Sequence, residues 1–199
     1  MSEPTVYING LFTPLSNAKI SILDRGFCYG DGLFETLRAS NGKIFYIEQH
    51  IDRFFESMQQ ILIELPMTRL ELTKVVQETL ARNKYKNAII RLLVTRGDTQ
   101  SNIQIDSKNH PTLVINIRPY TPLPKAAYKK GIRIMLFQER ANLINGLKRR
   151  LKSCNYLSNV LIKELSDRKK YMEGVVVDPD FGVTEGTTSN IFIVEQGQL

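Results

Sequence analysis

Residues 33–63, LFETLRASNGKIFYIEQHIDRFFESMQQILI, decide the fold class because their hydrophobic period changes halfway. In the first half, Asn41-Gly42 stands between two apolar-rich segments, which predicts a β-hairpin, and Asn9-Gly10 predicts another near the start of the chain. In the second half, apolar residues recur every three or four positions, which predicts an amphipathic helix. That helix face comprises Ile51, Phe54, Phe55, Met58, Ile61 and Leu62. Strands followed by such a helix indicate a mixed α+β fold.

The following segments continue this mixture of helices and strands. Thr68 followed by Glu71 predicts a capping box, and therefore a helix that begins there and ends near Asn83. The segments 88–95 (AIIRLLVT) and 112–118 (TLVINIR) have the apolar, β-branched composition of strands.

A proline-rich segment, PYTPLPK at residues 119–125, predicts an extended connector between two lobes. The N-terminal α/β lobe would comprise residues 1–118, and the second lobe residues 126–199. In the second lobe we expect a helix after Lys152, a polar loop at 183–190, and strands at 131–137, 174–178 and 191–195.

The last residues, IFIVEQGQL at 191–199, predict a strand entering a glycine turn whose return strand is missing. An unpaired apolar edge favours aggregation, and natural proteins usually avoid it. We therefore expect a shortened second lobe, either in a piece of a longer protein or in an unusual short variant.

Composition excludes several classes of protein. The net charge is +7, but no zinc-finger spacing, basic zipper or RNA-binding signature accompanies it, so no nucleic-acid partner is expected. No apolar run approaches the ~20 residues that span a bilayer, so no membrane partner is expected. Cys28 and Cys154 are too few for a disulfide framework and indicate the cytoplasm. His50 and His110 lie far apart without a CxxC or HExxH motif, so no metal site is expected.

One lysine, Lys152, lies beside an apolar stripe in RRLKSCNYLSNVLIKEL, residues 149–165. The spacing of the stripe predicts a helix face turned toward a core, formed by Leu151, Cys154, Leu157, Leu161 and Leu165. A lysine that forms a Schiff base needs a rigid position and partial desolvation, so that its neutral amine is accessible. Lys152 lies where strand-like sequence passes into a helix, which would provide the rigidity. A solvated surface lysine is the alternative interpretation.

The segment VTEGTTSN, residues 183–190, places the carboxylate of Glu185 next to a series of small polar residues. A cofactor with a pyridine ring and a phosphate needs such an acid, together with hydroxyl or amide groups. A plain polar turn explains the segment equally well, so the residues alone leave both interpretations open.

Four motifs resemble, in order and spacing, those of the class IV aminotransferases, which are pyridoxal-phosphate enzymes of fold type IV. The resemblance runs from about Val6 to Leu199 and implies a two-lobed α+β fold whose C-terminal lobe binds pyridoxal 5'-phosphate. The motifs are DRGFCYGDGLFETLR (24–38), HIDRFFES (50–57), LKSCNYLSNVLIK (151–163) and VTEGTTSNIFIV (183–194).

The resemblance implies a role for each matched residue. Lys152 would be the catalytic lysine that holds the cofactor as a Schiff base, and Glu185 would pair with the pyridine nitrogen. Arg53 would bind the phosphate. The other cofactor-binding residues would be Tyr156, Thr188, Ser189 and Asn190, and the substrate-binding residues would be Tyr29, Phe34, Arg38 and Arg91.

The implied reaction moves an amino group between a branched-chain-like amino acid and a 2-oxo acid. Ser101-Asn102-Ile103 stands where D-amino-acid aminotransferases have Arg-x-His, which disfavours that subfamily. GLFETLR and EGTTSN are more similar to the aminodeoxychorismate lyases and the D-amino-acid aminotransferases. Release of pyruvate to form 4-aminobenzoate is therefore the alternative reaction. A non-catalytic binding protein on the same fold is a further alternative. Because family members are dimers, the resemblance also implies a homodimer, with the loop 97–110 at the interface.

Overall fold

The computed structural model describes residues 3–98, 103–105, 110–138 and 151–199. The chain divides into two compact units, and the division falls between Thr121 and Pro122, within the segment 119–125. Residues 151–154 belong to the first unit because their backbone pairs with a strand of that unit. The predicted lobe 126–199 therefore differs from the second unit at the residues around Lys152.

A six-stranded antiparallel sheet forms the first unit, with strand order β2-β1-β6-β5-β3-β4. Both predicted hairpins are present, since β1 pairs with β2 around Asn9-Gly10 and β3 with β4 around Asn41-Gly42. All four turn residues have positive φ, between 44° and 93°, as a type I′ turn requires. The strands are β1 (Thr5–Ile8), β2 (Leu11–Pro14), β3 (Gly32–Ser40), β4 (Lys43–Ile44), β5 (Ala88–Thr95) and β6 (Thr112–Pro119).

Three α-helices accompany this sheet: α1 (Arg25–Tyr29), α2 (Ile47–Gln60) and α3 (Arg69–Asn83). The predicted capping box is confirmed, because the Thr68 hydroxyl accepts from the backbone of Glu71 while the Glu71 carboxylate accepts from the backbone of Thr68. The apolar faces of α2 and α3 share one buried core with the sheet, and each such buried side chain stabilises the fold by about 2 kcal/mol. Its largest fully buried members include Leu33, Leu37, Ile51, Phe54, Met58, Leu72, Ile90, Leu92 and Ile115.

The second unit contains a three-stranded sheet, in which β8 (Glu173–Asp178) lies between β7 (Ile134–Gln138) and β9 (Gly182–Gly186). β7 runs parallel to β8, and β9 antiparallel to it. The unit also contains the helices α4 (Lys125–Lys130) and α5 (Leu157–Arg168).

The predicted apolar helix face beside Lys152 was wrong. Its first members, Leu151 and Cys154, lie in an extended segment paired with β3, and the helix begins only at Leu157. α5 instead turns Ile162 and Ser166 toward β8, where a Cβ on Gly174 would come within 2.5 Å of the Ile162 side chain and 2.8 Å of the Ser166 hydroxyl. Leu157, Leu161 and Leu165 are exposed in the described chain.

The strand predicted at 191–195 was also wrong, and the predicted polar loop at 183–190 is half strand. Pairing with β8 makes Gly182–Gly186 a strand, so Glu185 is a strand residue. Residues 191–194 form no ladder with any described residue and are exposed, although their composition is that of a strand. The predicted glycine turn is present, because Glu195 and Gln198 exchange two backbone hydrogen bonds of 2.9 Å around Gln196-Gly197.

Candidate active site

Lys152 is held along the edge of β3 by backbone hydrogen bonds. The Phe34 N–H donates to the Lys152 carbonyl at 2.8 Å, and the Cys154 N–H donates to the Gly32 carbonyl at 2.9 Å. Gly32 is required there, because a Cβ would lie 2.6 Å from the Val94 carbonyl oxygen and 3.2 Å from the Cys154 Sγ. The backbone of Lys152 is therefore fixed by a strand, as a reactive lysine would require.

The side chain of Lys152 is exposed in the described chain, rather than partly buried as the sequence suggested. Its ammonium lies 5.8 Å from the centre of the Phe34 ring, and Phe34 is itself buried. Lys152 and Arg53 line the same small cavity of the first unit, about 90 Å³ in volume. The other lining residues are Glu35, Glu56, Ser57, Gln60 and Leu151.

Arg53 is oriented by a carboxylate that sequence reasoning missed, that of Glu35. Arg53 Nε donates to Glu35 Oε1 at 2.5 Å, Arg53 Nη2 donates to Oε2 at 2.7 Å, and His50 Nδ1 lies 2.9 Å from Oε2. Glu35 is 3% exposed, whereas the Arg53 side chain is 48% exposed. The buried acid therefore fixes one edge of a guanidinium that still reaches solvent, a bidentate geometry that arginine favours.

These contacts decide the protonation of Glu35. Burial alone would raise its pKa, but hydrogen bonds from His50 and Arg53, together with the charge of Arg53, outweigh burial and lower the pKa to about 2. The hydrogen bonds that Arg53 donates to Glu35 in turn raise the pKa of Arg53. Glu35 is thus an anion and Arg53 a cation across the physiological pH range.

The predicted substrate residues fall into two groups. Phe34 and Arg91 are together on one face of the sheet, with the Arg91 guanidinium 4.0 Å from the centre of the Phe34 ring and its Nη1 donating to the Thr36 hydroxyl at 2.9 Å. Arg38 lies four residues beyond Phe34 on β3, where its guanidinium stacks 3.6 Å from the Tyr120 ring and donates to the Ala88 carbonyl. The structure therefore brings Phe34 and Arg91 together, whereas Arg38 makes its contacts at the other end of the strand.

The fourth predicted substrate residue, Tyr29, is the last residue of α1 and is 46% exposed. Its ring lies 5.1 Å from the guanidinium carbon of Arg25. Arg25 and Arg96 both donate to Asp31, so a buried cluster of charges holds the end of β5 beside α1.

In the second unit, the hydroxyls predicted to surround the cofactor converge on Glu173, which sequence reasoning also missed. The Thr187 hydroxyl donates to Oε1 of Glu173, and the hydroxyls of Thr188 and Ser189 donate to Oε2 at 3.1 and 2.9 Å. The Gly174 N–H donates to Oε1 at 2.9 Å. Burial would raise the pKa of Glu173, but these four hydrogen bonds lower it, so the loop is organised around an anion.

The same loop is fixed from the side of α5. Both the Tyr156 hydroxyl and the Asn159 amide donate to the Thr187 carbonyl, at 2.7 and 3.1 Å. Glu185 lies two residues earlier on β9 and is half-buried. Tyr156, Thr188 and Ser189 are therefore connected through one loop, whereas Asn190 is exposed at its end.

Replacing Glu173 with glutamine is expected to loosen this loop. The amide would present N–H donors to hydroxyls that now donate, so about 1–2 kcal/mol of local stability should be lost. In hydrogen exchange, the amides of Gly186 and Thr187 should exchange about tenfold faster, since 1.4 kcal/mol corresponds to a factor of ten. Glu195→Gln, an exposed change on the neighbouring turn, is the matched control. Unchanged exchange in Glu173→Gln would contradict the role given to Glu173.

Two further kinds of site to consider among the described residues are a metal centre and a reactive thiol. Within residues 3–98, 103–105, 110–138 and 151–199, no group of three or more His, Cys, Asp or Glu side chains is placed to hold a metal ion. Burial raises the pKa of Cys154 to about 11, so its thiol is protonated near neutral pH and is a poor nucleophile. Among the helices of these residues, none is long and apolar enough to cross a membrane.

Two of the predicted features fall on positions that the structure does not describe. Residues 101 and 102 of the Ser101-Asn102-Ile103 stretch lie outside the described residues. Most of the loop 97–110, predicted at a dimer interface, lies outside them as well.

Curated relatives cover nearly the whole chain. A Methanocaldococcus jannaschii protein named "Putative branched-chain-amino-acid aminotransferase" is 38% identical over 194 residues, which is 98% of this chain and 66% of the relative. The D-alanine aminotransferase of Staphylococcus haemolyticus is 33% identical, over 98% of this chain and 67% of the relative. The chain thus spans about two thirds of the length of the relatives it matches.

Solved structures have the same fold. The branched-chain amino acid aminotransferase of Escherichia coli superposes with a TM-score of 0.88 at 23% identity, over 98% of this chain and 66% of that one. The branched-chain aminotransferase of Thermoproteus uzoniensis with norvaline gives 0.86 at 25% identity, over 98% and 67%. The 4-amino-4-deoxychorismate lyase of Pseudomonas aeruginosa gives 0.78 at 26% identity, over 96% and 68%. The predicted α+β, fold type IV class is therefore confirmed.

The family itself follows from the match over most of the chain. The sequence profile described as "Amino-transferase class IV" matches residues 32–199, which include Lys152, Arg53 and Glu185. This confirms the resemblance predicted from the four motifs: the chain belongs to the class IV aminotransferase family.

Proposed function

We propose that the protein is a pyridoxal 5'-phosphate-dependent aminotransferase that moves an amino group between a branched-chain-like amino acid and a 2-oxo acid. The observation that carries this proposal is the small cavity lined by both Lys152 and Arg53. In this cavity lie an amine whose backbone is held by a strand and a guanidinium that is oriented by Glu35. A cofactor with an aldehyde and a phosphate requires these two groups, because the amine reacts with the aldehyde and the guanidinium binds the phosphate.

The donor set fits the cofactor. No carboxylate among the described residues lies within ion-pair distance of the Lys152 ammonium. Arg53 uses Nε and Nη2 on Glu35, which leaves Nη1 as a donor for an anion. In the second unit, the resemblance assigns Glu185 to the ring nitrogen and Tyr156, Thr188, Ser189 and Asn190 to the surroundings of the cofactor.

The cofactor and the residues of the chain would have separate roles in the reaction. Pyridoxal phosphate supplies an aldehyde carbon that reacts with amines and a ring that accepts electrons. Lys152 takes the α-proton of the substrate on Nζ and returns it, acting as general base and then general acid. Glu185 holds a proton on the ring nitrogen through its negative charge, and Arg53, fixed by Glu35, neutralises the phosphate.

Substrate recognition is assigned to the face of β3 that carries Phe34. Phe34, whose buried ring lies beside both Lys152 and Arg91, offers an apolar surface to a branched side chain. The Arg91 guanidinium is held over that ring and offers a cation to a substrate carboxylate. Tyr29 and Arg38 are proposed as further substrate residues from the resemblance alone.

The fold of the lyase from Pseudomonas aeruginosa keeps a second reaction open. Aminodeoxychorismate lysis would use the same amine and the same proton transfers at Lys152, and differs in releasing pyruvate. The 38% identity to a protein named for branched-chain amino acids favours amino-group transfer.

Parallel assays on the full-length protein distinguish these functions. With pyridoxal phosphate and 2-oxoglutarate, we expect L-leucine, L-isoleucine and L-valine to be donors, and we expect no transfer from D-alanine and no 4-aminobenzoate from aminodeoxychorismate. Activity with aminodeoxychorismate alone would show that the protein is a lyase and not an aminotransferase. Activity with D-alanine alone would show that its substrates are D-amino acids and not branched-chain amino acids. Cofactor binding without turnover of any of them would favour a binding protein.

A homodimer and a cytoplasmic location complete the proposal. The homodimer is proposed because dimers are usual in the family. The cytoplasmic location is proposed because the chain has few cysteines. Light scattering should give twice the mass of one chain, and a fully active monomer would rule the dimer out.

A further inference from the structure

A second and much larger cavity lies in the first unit, between the turn joining β3 to β4 and the C-terminal end of α3. Its volume is about 840 Å³, and neither Lys152 nor Arg53 lines it. Lys43, Lys84 and Lys86 line it together with the apolar side chains of Ile44 and Leu80. We call it the lysine groove.

A backbone hydrogen bond joins two walls of the lysine groove. The Gly42 N–H, in the β3–β4 turn, donates to the Lys86 carbonyl at 2.9 Å. On the other wall, Lys84 caps α3 in the left-handed conformation, with φ of 57°. The three lysines are therefore presented by a pre-formed backbone, which lowers the entropy lost when a ligand binds.

The three lysines of the groove are gathered around one concavity and have no acidic partner within the described part of the chain. Arg69, Arg82, Lys163 and Arg168 each pair with a carboxylate within 3.0 Å. Lys43, Lys84 and Lys86 are exposed and form no such pair with any residue in the described part of the chain. Three uncompensated positive charges around one concavity attract anions.

The floor of the groove is apolar. Leu80 is 5% exposed, and Ile44 is half-buried. Pockets of about 300–1,000 Å³ with apolar walls and a few polar groups are typical of small-molecule sites. A ligand with an apolar body and an anionic head would therefore match the volume, the apolar floor and the positive charge of the lysine groove.

We propose that the lysine groove binds a small amphiphilic anion, namely an aryl or alkyl group carrying a carboxylate, sulfonate or phosphate. The apolar body packs on Ile44 and Leu80, and the head lies among the ammonium groups of Lys43, Lys84 and Lys86. The groove is separate from the cavity of Lys152, so this proposal does not depend on the proposed aminotransferase activity.

The test uses 8-anilinonaphthalene-1-sulfonate as the probe on the full chain, both without pyridoxal phosphate and with one equivalent after removal of the excess, because free pyridoxal phosphate is itself an aryl anion that would compete for the groove. Lys43→Gln/Lys84→Gln/Lys86→Gln should weaken probe binding about tenfold, because each exposed charge pair contributes up to about a factor of five. The matched control, Lys74→Gln/Lys129→Gln/Lys169→Gln, removes three lysines outside the groove and should leave the Kd unchanged. Raising the salt concentration should weaken binding to the wild type and to the control, and much less to the groove variant.

A second variant tests the position of the probe independently of the lysines. Ala81 lines the groove from the exposed surface of α3, so Ala81→Glu adds bulk and a negative charge there without disturbing the core. It should weaken the probe at least as much as the triple change. Equal probe affinity in the wild type, the groove triple and Ala81→Glu would overturn the proposal, because the probe would then lie on other exposed apolar surface.

Discussion

Replacing Lys152 with alanine is expected to lower kcat/KM for amino-group transfer by about a hundredfold to ten-thousandfold, because proton transfer by a positioned side chain typically contributes a factor of about 10²–10⁴. Lys152→Arg should be equally inactive, since arginine retains the charge but does not supply a neutral amine at physiological pH. The measurement is steady-state transfer from L-leucine at saturating pyridoxal phosphate. The thermal unfolding midpoint should stay unchanged, because the side chain of Lys152 is exposed.

Lys130→Ala is the matched control for this prediction. Lys130 is an exposed lysine at the end of α4, outside the cavity of Lys152 and outside the lysine groove. It should retain wild-type kcat/KM. If Lys152→Ala kept more than about a tenth of the activity, the catalytic role of Lys152 would have to be abandoned.

The change Glu35→Gln is expected to lower both the stability of the protein and its affinity for the cofactor. It leaves the shape of the side chain but removes the anion that fixes Arg53 and contacts His50. Hydrogen bonds to charged groups contribute about 1.5–3 kcal/mol, so we expect a loss of about 2 kcal/mol in the free energy of unfolding at pH 7. The apparent Kd for pyridoxal phosphate should rise, because the Arg53 guanidinium loses its orientation.

The pH dependence gives this prediction a clear sign. The pKa of Glu35 is lowered from 4.5 to about 2, so its contribution to stability is present above about pH 4.5 and is lost as the pH falls toward 2. Between about pH 5 and pH 2, the free energy of unfolding should therefore fall more steeply for the wild type than for Glu35→Gln. Urea unfolding followed by circular dichroism at several pH values measures both slopes.

Glu164→Gln provides the control for Glu35→Gln. Glu164 pairs with Arg168 on α5, but the two side chains are 55% and 73% exposed, so removing the pair should change stability by less than about 1 kcal/mol. Parallel pH curves for the wild type and Glu35→Gln would show that Glu35 is not the buried anion described above.

Local sequence signals predicted most of the first unit. Asn-Gly pairs determine a turn within four residues, and the Thr68–Glu71 capping box determines a helix start within one turn, so both hairpins and α3 followed from the sequence. The helix α2 followed from its period alone, because its buried residues recur at helical spacing.

The sequence could not predict features that depend on distant partners. Residues 183–186 form a strand because β8 lies beside them, whereas 191–194, with a stronger strand composition, find no such partner among the described residues. The stripe from Leu151 to Leu165 has helical spacing, but pairing of 151–154 with the edge of β3 delays the start of α5. Tertiary pairing overrides local preference in each case.

In the candidate site too, the sequence predicted the residues of local motifs but not the residues that act through distant partners. The motifs indicated Lys152, Arg53 and Glu185, but not the buried acids Glu35 and Glu173 that organise their surroundings. Alternation along β3 contained one usable signal, since Glu35 falls between Leu33 and Leu37 on the apolar face of the strand. A charged residue at such a position requires a partner, and Arg53 on α2 is that partner.

The most direct test of the central claim is borohydride reduction of the full-length protein mixed with pyridoxal phosphate, followed by mass spectrometry of its peptides. We predict a phosphopyridoxyl group on Lys152 at a stoichiometry near one per chain, displaced when L-leucine is added before reduction and absent from Lys152→Ala. A stoichiometric label on another lysine, with Lys152 unmodified, would contradict the assignment.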